Sequence, residues 1–423
     1  MNDHSMRAVE SWVLFGEEMR RPLLVHPKLG ESSTVVVVGG GLSGMCCAYR
    51  IAEKRPDVQV IIQEQGDRLG GVISTWKEGE WTCDIAVNAT RPHPAFWRLT
   101  EDLNLSPVFK PSHPKAKARW VLLAGTSHRL SPSTLFKIGA IKLIRALLKS
   151  RKGGQSVADV IPHKEIADAL CLGIVNETAD NVDADFLLPS VTKFGPNPPI
   201  SKSIINRQIA ASYPLFKPEK GSVASFDGGM QTLLNALSEK LESLGNVAIK
   251  LNTKALNLDA VVSAYDVPKS AVIWTGPNIN FDFKVSEISV FAIGYHKDQV
   301  AHVEFGYGTL IPDQDLPISG ILHESDLHQS HRCPKDHRLF RLMVPHSRWD
   351  GKDDSILSCA EHLLASNPAI FTKIGERRIP RYLPGYMNKV AQIKPECTSV
   401  GWSVSGVSIT HVVTESERLA QLF

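Results

Sequence analysis

Two periods of apolar and polar positions alternate along the chain. Val35-Val36-Val37-Val38 is an unbroken β-branched run, the pattern of a strand buried on both faces of a parallel sheet. Gly39-Gly40-Gly41-Leu42-Ser43-Gly44 comes directly after it, and the small residues of Met45 to Ala52 suit a helix pressed closely against that strand. A second run, Val58 to Ile62, ends just before Glu64. Farther along, Val247 to Leu251, Glu287 to Ile293 and Leu339 to Val344 read as strands, the last two in a separate sheet. From Ser131 to Lys152 the period is helical instead. Lys137, Lys142, Arg145, Lys149 and Lys152 recur on one side with no acidic residue among them, and Phe136, Ala140, Leu143, Ile144 and Leu147 offer an apolar side. The proline-rich stretch Gly195-Pro196-Asn197-Pro198-Pro199 closes that helical region.

Strand, glycine turn and helix in that order form a phosphate grip. Gly39 permits the tight turn, Gly41 lets the backbone approach a pyrophosphate, and Gly44 permits close helix packing, while the helix N-terminus supplies amide donors. Glu64 falls about 20 residues on, where a carboxylate accepts from the ribose hydroxyls of an adenosine. NAD and FAD sites share these features, so the choice between them rests on the segment Arg68-Leu69-Gly70-Gly71 just beyond the second strand. Paired glycines expose backbone amides to phosphate, and an arginine there neutralises charge or braces the loop. This Arg-x-Gly-Gly resembles the doublet of the amine oxidase, phytoene desaturase and protoporphyrinogen oxidase superfamily, where it extends an FAD pyrophosphate site.

Composition narrows the class. A chain of 423 residues with 43% apolar content suggests two or three packed domains. A net charge of +3 is too mild to imply a nucleic-acid partner. The cysteines include adjacent Cys46 and Cys47 but no CxxC, which fits reduced thiols in a reducing compartment, and His128, His323 and His411 have no ligand spacing, so no metal is expected. No apolar run approaches the roughly 20 residues needed to span a bilayer as a helix. Residues 1–33 lack a secretory core, and Asp3, Glu10, Glu17 and Glu18 offset Arg7, Arg20 and Arg21, so this extension carries no readable address.

Later segments resemble the protoporphyrinogen oxidase family in order. Ala118-Arg119-Trp120-Val121-Leu122 resembles its Arg-Phe-Val-Leu segment, and Gly306-Tyr307-Gly308-Thr309-Leu310-Ile311-Pro312 its Gly-Phe-Gly-x-Leu-Val-Pro. Ile379 to Tyr386 resembles Ile-Pro-Gln-Tyr-x-x-Gly-His, and Ser399 to Ile409 the closing flavin segment. The resemblance implies FAD as cofactor, a tetrapyrrole substrate, Arg119 pairing with a propionate and Tyr307 packing on a pyrrole. It implies cofactor contacts from Gly39, Gly40, Gly41, Leu42, Ser43, Gly44, Glu64, Arg68, Gly70, Gly71 and Val72. It adds the loop Ala86, Val87, Asn88 and Ala89, the backbone of Val247 at the adenine, and Trp402, Val407, Ser408 and Ile409 at the ring. The chain departs from the pattern where Ala86-Val87 replaces Gly-Pro, where Glu177 replaces a glycine beside the substrate and would repel a propionate, where no hairpin comes after Leu258, and where Ser416 replaces a glycine.

The expected fold is α/β (α+β overall): a Rossmann-like FAD-binding domain, a mixed-sheet substrate domain and an inserted helical membrane-binding domain. Residues 34–91, 222–263 and 380–423 are assigned to the first, 92–130 and 264–379 to the second, and 131–205 to the third. The basic helix is expected to rest peripherally on a membrane, by resemblance the mitochondrial inner membrane, with the cytoplasm as the alternative. A homodimer is compatible with this reading, and oxygen is the expected electron acceptor. Two rivals stay open at this point: a divergent FAD-binding relative with weakened activity, and a flavin amine oxidase or carotenoid-type desaturase.

Overall fold

The computed structural model describes residues 9–14, 16, 21–130, 145, 153–189, 191–192, 201–212, 222–277 and 284–423. The segment 131–152, on which the basic amphipathic helix was expected, lies outside the described residues apart from Arg145.

Two sheets organise the chain. The first is five-stranded, with β1 (Thr34–Val38), β2 (Gln59–Gln63), β9 (Val247–Lys250), β10 (Val272–Trp274) and β16 (Thr398–Ser399) in the order β16-β10-β1-β2-β9, all parallel. The valine run is unbroken because both faces of β1 are covered. Val35 and Val37 pack with the helices Leu42–Lys54, Gln231–Glu242 and Ile409–Ala420, whereas Val36 and Val38 pack with the helix Leu258–Tyr265. Burying each such side chain contributes about 1.5–3 kcal/mol.

The second sheet has seven strands, ordered β15-β11-β14-β13-β12-β6-β7. They are β6 (Arg119–Leu123), β7 (Thr126–Arg129), β11 (Val285–His296), β12 (Gly308–Leu310), β13 (Gly320–Leu322), β14 (His337–Pro345) and β15 (Ile370–Pro380). All neighbours run antiparallel except β12 and β6. Along β11 the period is two: Phe291, Ile293 and Tyr295 join one core, and Ile288, Val290 and Ala292 join another. Two short ribbons bridge the sheets, β3 (Thr75–Glu78) with β4 (Trp81–Asp84), and β5 (Phe109–Pro111) with β8 (Ala224–Phe226).

One expected boundary moves. Residues 264–277, placed with the substrate sheet from sequence, carry β10, which lies between β1 and β16 in the parallel sheet. Successive parallel strands of one sheet, here β9 and β10 on either side of β1 and β2, need a crossover connection. The helix Leu258–Tyr265 provides it where the family has a hairpin, capped by Asn257, whose side chain accepts from Ala260 N at 2.9 Å. The N-terminal extension also belongs to this body: Trp12 and Val13 are buried in its core, and Leu24 bridges Ser399. Arg21 donates to the Phe186 carbonyl at 2.5 Å and to the Ser405 carbonyl, tying the inserted segment to the C-terminal one. Among the described residues no helix is long and apolar enough to cross a membrane.

Candidate active site

The glycine turn has the geometry its sequence requires. Gly39 has φ +104°, a conformation that side chains avoid, and a Cβ on Gly44 would overlap the Gly39 carbonyl oxygen. Gly41 differs: a Cβ there would meet only Gly71 Cα, at 3.9 Å, so the space above it is open to a ligand. The helix Leu42–Lys54 starts here, and its first amides have no intrahelical acceptor. The Arg68-Leu69-Gly70-Gly71 loop docks on this turn through Gly70 N to Gly40 O at 2.8 Å, while Arg68 braces it by donating to the Leu69 and Gly71 carbonyls. Val72 beside it is 66% exposed, an apolar side chain uncovered at the mouth of the cradle.

Glu64 accepts from Gly40 N at 2.6 Å and Gly66 N at 2.7 Å, which aims its carboxylate at the turn and leaves lone pairs for hydroxyl donors. Val247 does not join it. Parallel strands place their carboxyl ends together, and Val247 opens β9 at the far end of the sheet, about 10 Å of strand from Lys250. The backbone beside Glu64 is that of Lys250 and Thr253: Glu64 N donates to Lys250 O, and Thr253 N to Glu64 O. Residues 250–253, not Val247, therefore stand beside Glu64 at the carboxyl end of the sheet, the end that the carboxyl-end rule picks for a ligand. Thr275 was also missed. Its hydroxyl donates to the Val38 carbonyl at 2.8 Å and lies against Gly39, and the signal was the apolar run Val272 to Trp274 ending in Thr275-Gly276.

Two distant segments form the next part of the cleft. Thr90, just past the Ala86–Ala89 loop, bonds through its hydroxyl to that of Thr410 at 2.9 Å, in the first turn of the helix Ile409–Ala420. Val407, Ser408 and Ile409 thus stand near that loop, where the first amides of the helix have no intrahelical acceptor. Glu415 fixes the approach, accepting from Gly401 N at 2.8 Å and Ser405 Oγ at 2.9 Å, and burial raises its pKa to about 7. The Trp402 carbonyl accepts from the Tyr382 hydroxyl at 2.8 Å.

Behind the loop lies a buried ionic network that sequence reading did not find. Asp84 accepts from Thr75 Oγ1, Met230 N and Arg332 Nη1 at 2.6, 2.8 and 3.3 Å. Arg341 donates to the Asp84 carbonyl and pairs with Glu324 at 2.9 Å, and Glu324 meets His328 at 3.2 Å. Burial pushes the Glu324 carboxyl up, but Arg341, His328 and Arg332 outweigh it and hold its pKa at about 2. Burial also lowers the His328 pKa, with Arg332 adding to it.

Arg119 and Tyr307, far apart in sequence, meet. Strands β6 and β12 pair Arg119 with Gly308, and Tyr307 N donates to Ala118 O at 2.7 Å. The Arg119 guanidinium lies 4.6 Å from the Tyr307 ring centroid and pairs with no carboxylate among the described residues. The Tyr307 hydroxyl donates to Asn88 Oδ1 at 3.3 Å, and the Asn88 amide nitrogen is buried with no acceptor among the described residues. Glu177 does not stand as a free repelling charge: it pairs with Arg381 at 2.5 Å, and Arg381 is the residue that replaces the glutamine of the Ile-Pro-Gln-Tyr pattern. Two departures thus neutralise one another. Among the described residues no cluster of His, Cys, Asp and Glu is placed to hold a metal ion.

The open cradle at Gly41, the bracing Arg68 loop, the Glu64 carboxylate and the first-turn amides at Ile409 fit FAD from adenosine to ring. This fold and site define an FAD-dependent oxidoreductase, with a Rossmann-like nucleotide domain facing a mixed sheet. Residues 37–103 match the family model for an NAD(P)-binding Rossmann-like domain. Within the class the chain resembles the protoporphyrinogen oxidases. It is 24% identical to the human protoporphyrinogen oxidase over 363 residues, covering 69% of this chain and 73% of that one. It is 26% identical to the chloroplastic protoporphyrinogen oxidase 1 of Arabidopsis thaliana over 248 residues, 51% of this chain and 46% of that one. Among solved structures, a proposed protoporphyrinogen oxidase from Exiguobacterium sp. 255-15 superposes with a TM-score of 0.65 at 16% identity, covering 92% of this chain and 98% of that one. Putrescine oxidase bound to putrescine superposes at 0.58, with 13% identity and coverage of 92% and 98%. At these identities the structural likeness establishes the fold.

Proposed function

We propose that the chain oxidises protoporphyrinogen to protoporphyrin in haem synthesis, using FAD and passing electrons to oxygen. The observation that carries this reading is the unpaired Arg119 guanidinium stacked on the Tyr307 ring, with the Tyr307 hydroxyl on Asn88 of the cofactor loop. A guanidinium takes a carboxylate in bidentate fashion, and an aromatic face takes a flat ring, so the pair suits a planar, carboxylate-bearing ligand. When bound, FAD supplies the hydride acceptor at N5 of its ring. The residues of the chain do the positioning. Arg119 holds a propionate, Tyr307 packs on a pyrrole, and the buried Asn88 amide donates to an acceptor on what is bound. Three two-electron rounds give the porphyrin. A primary amine substrate would leave Arg119 without an anionic partner, which disfavours the amine oxidase reading.

Anaerobic mixing of the FAD-loaded protein with protoporphyrinogen tests this directly. Bleaching of the flavin absorbance, then porphyrin fluorescence once air enters, is the expected result, whereas a flavin that stays oxidised refutes it. Arg119→Leu is expected to raise KM about tenfold or more with a smaller change in kcat, since it removes a charge-assisted bond made before the chemistry. An unchanged KM would show that the anchor lies elsewhere.

The acid-free segment 131–152 supports a further proposal, that the protein rests peripherally on a membrane, with the mitochondrial inner membrane as its site. Sedimentation with anionic liposomes, with and without charge reversal of Lys137, Lys142 and Lys149, tests the contact. A homodimer remains part of the proposal and is checked by light scattering.

A further inference from the structure

Glu415 is a buried carboxyl, 2% exposed, on the C-terminal helix Ile409–Ala420, and it forms no salt bridge among the described residues. Its Oε2 accepts from Gly401 N and Ser405 Oγ, the two ends of the turn 401–405. That turn reaches the phosphate cradle. Val400 N donates to Trp274 O at 3.0 Å, and a Cβ on Gly401, whose φ is +94°, would lie 2.8 Å from Ser43 Oγ and 3.3 Å from Thr275 O. Ser43 belongs to the first turn of the helix Leu42–Lys54, whose amides form the cradle. Glu415 is thus one hydrogen bond behind a residue that lies against that turn.

The hydrogen bonds of the turn accommodate both protonation states of the carboxyl. Ser405 Oγ lies 2.9 Å from Glu415 Oε2 and 3.0 Å from Gly401 O. With the carboxyl ionised, the single hydroxyl proton goes to Oε2. With the carboxyl protonated, it donates to Ser405 Oγ, and the hydroxyl turns its own proton to Gly401 O. Gly401 N keeps an acceptor in either state, so the turn holds its shape while the charge changes. Burial favours the neutral form and outweighs the two hydrogen bonds and the positive charges of Arg418, on the same helix, and Arg21, in the N-terminal extension. Other groups facing this region keep their charge near neutral pH. Arg98 of the helix Pro94–Asp102 is held bidentate by Glu417, and burial raises the pKa of the Cys47 thiol, on the helix Leu42–Lys54, well above its ordinary value. His411, one turn back from Glu415, contacts Arg21 and Arg91 through its two ring nitrogens.

A pyrophosphate brings negative charge to the cradle, and a carboxylate close behind it in a buried site would repel that charge. We infer that Glu415 is a positioning residue for FAD that acts in its protonated form, holding the turn 401–405 against Ser43 without setting a negative charge behind the pyrophosphate. The inference rests on the cofactor alone and is independent of which substrate the flavin oxidises. Linkage gives it a sign. Bound FAD raises the pKa of Glu415 further, so affinity is highest where the carboxyl is already protonated, below about 7, and falls as pH rises from there through the higher pKa of the loaded protein.

The test is equilibrium dialysis of the FAD-loaded chain between pH 6 and pH 9, read by flavin absorbance, for wild type, Glu415→Gln and His411→Asn. Wild-type affinity is expected to fall about tenfold across this range, the effect of a shift of about one pKa unit on binding. Glu415→Gln reproduces the size and hydrogen bonds of the protonated carboxyl, so it is expected to keep the pH 6 affinity of the wild type at every pH. His411→Asn removes the neighbouring group that titrates in this range and is expected to retain the wild-type slope. A wild type with equal affinity at pH 6 and pH 9 overturns the inference, as does Glu415→Gln with the wild-type slope or His411→Asn with a flat profile. Glu415→Gln that binds FAD about tenfold more weakly than wild type even at pH 6 also overturns it, because a purely structural carboxylate would behave that way. A wild type that retains no flavin at any pH removes the FAD assignment and this inference together.

Discussion

Gly41→Val is expected to purify colourless and folded. A Cβ at this position would have only Gly71 Cα near it among the described residues, at 3.9 Å, and Gly41 has φ −73°, which any residue adopts. The apo fold therefore tolerates the change. The same carbon projects into the space above the first turn of the helix Leu42–Lys54, where a pyrophosphate must approach the amides closely. A loss of about 100-fold in FAD affinity, roughly 3 kcal/mol, is the expected scale. Flavin absorbance after purification, titration with added FAD and a melting curve in the absence of FAD check it together. Gly44→Ala provides the contrast, because its Cβ would overlap the Gly39 carbonyl and must displace backbone, so it is expected to lower the apo melting temperature as well. A Gly41→Val protein that retains full flavin would remove the cradle assignment.

Glu324→Ala is the second large effect. It leaves Arg341 buried without its partner and His328 without its acceptor, and breaking a buried pair from one side costs about 3–5 kcal/mol. Arg341 also holds the Asp84 carbonyl, one residue before Ile85 and the cofactor loop, so part of the cost is expected as weaker flavin retention. The pH dependence has a definite sign. The folded pKa of Glu324, about 2, is below its ordinary value of 4.5. Its ionised form thus stabilises the fold fully above about 4.5, and that contribution is lost as pH falls through about 2. Wild type is expected to lose stability in that window, and Glu324→Ala to start lower and lose less of it. Denaturant unfolding at several pH values between 2 and 6 checks this, and parallel curves for the two proteins would exclude the assigned role of Glu324.

Much of the nucleotide site was legible without a structure because its determinants are local. The Val35 to Val38 run, Gly39, Gly41 and Gly44 act on backbone within a few residues of themselves, where sterics depend on side-chain size alone. The Arg68 to Gly71 loop and the expectation of FAD come from the same neighbourhood. Glu64 was placed by a spacing that a strand and a helix of ordinary length enforce. The strands β11 and β14 were visible from their apolar runs, although not which neighbours they would take.

Tertiary structure decided everything that depends on which end or face of an element a residue occupies. Val247 was read correctly as strand, but only the parallel arrangement shows that Lys250 to Thr253, rather than Val247, lie beside Glu64. The short run Val272 to Trp274 could have joined either sheet, and its pairing with β1 resolved it. Glu177 looked repulsive until the fold brought Arg381 to it from 204 residues away in sequence. The Asp84, Arg332, Arg341, Glu324 and His328 network and the meeting of Arg119 with Tyr307 likewise join positions from separate strands and loops. Sequence by itself determined the conformations that a few consecutive residues impose on one another. Charge balance is instead a property of the enclosed volume, set by every chain segment that borders it, so only the assembled sheets could show which buried charges are paired and with which partners.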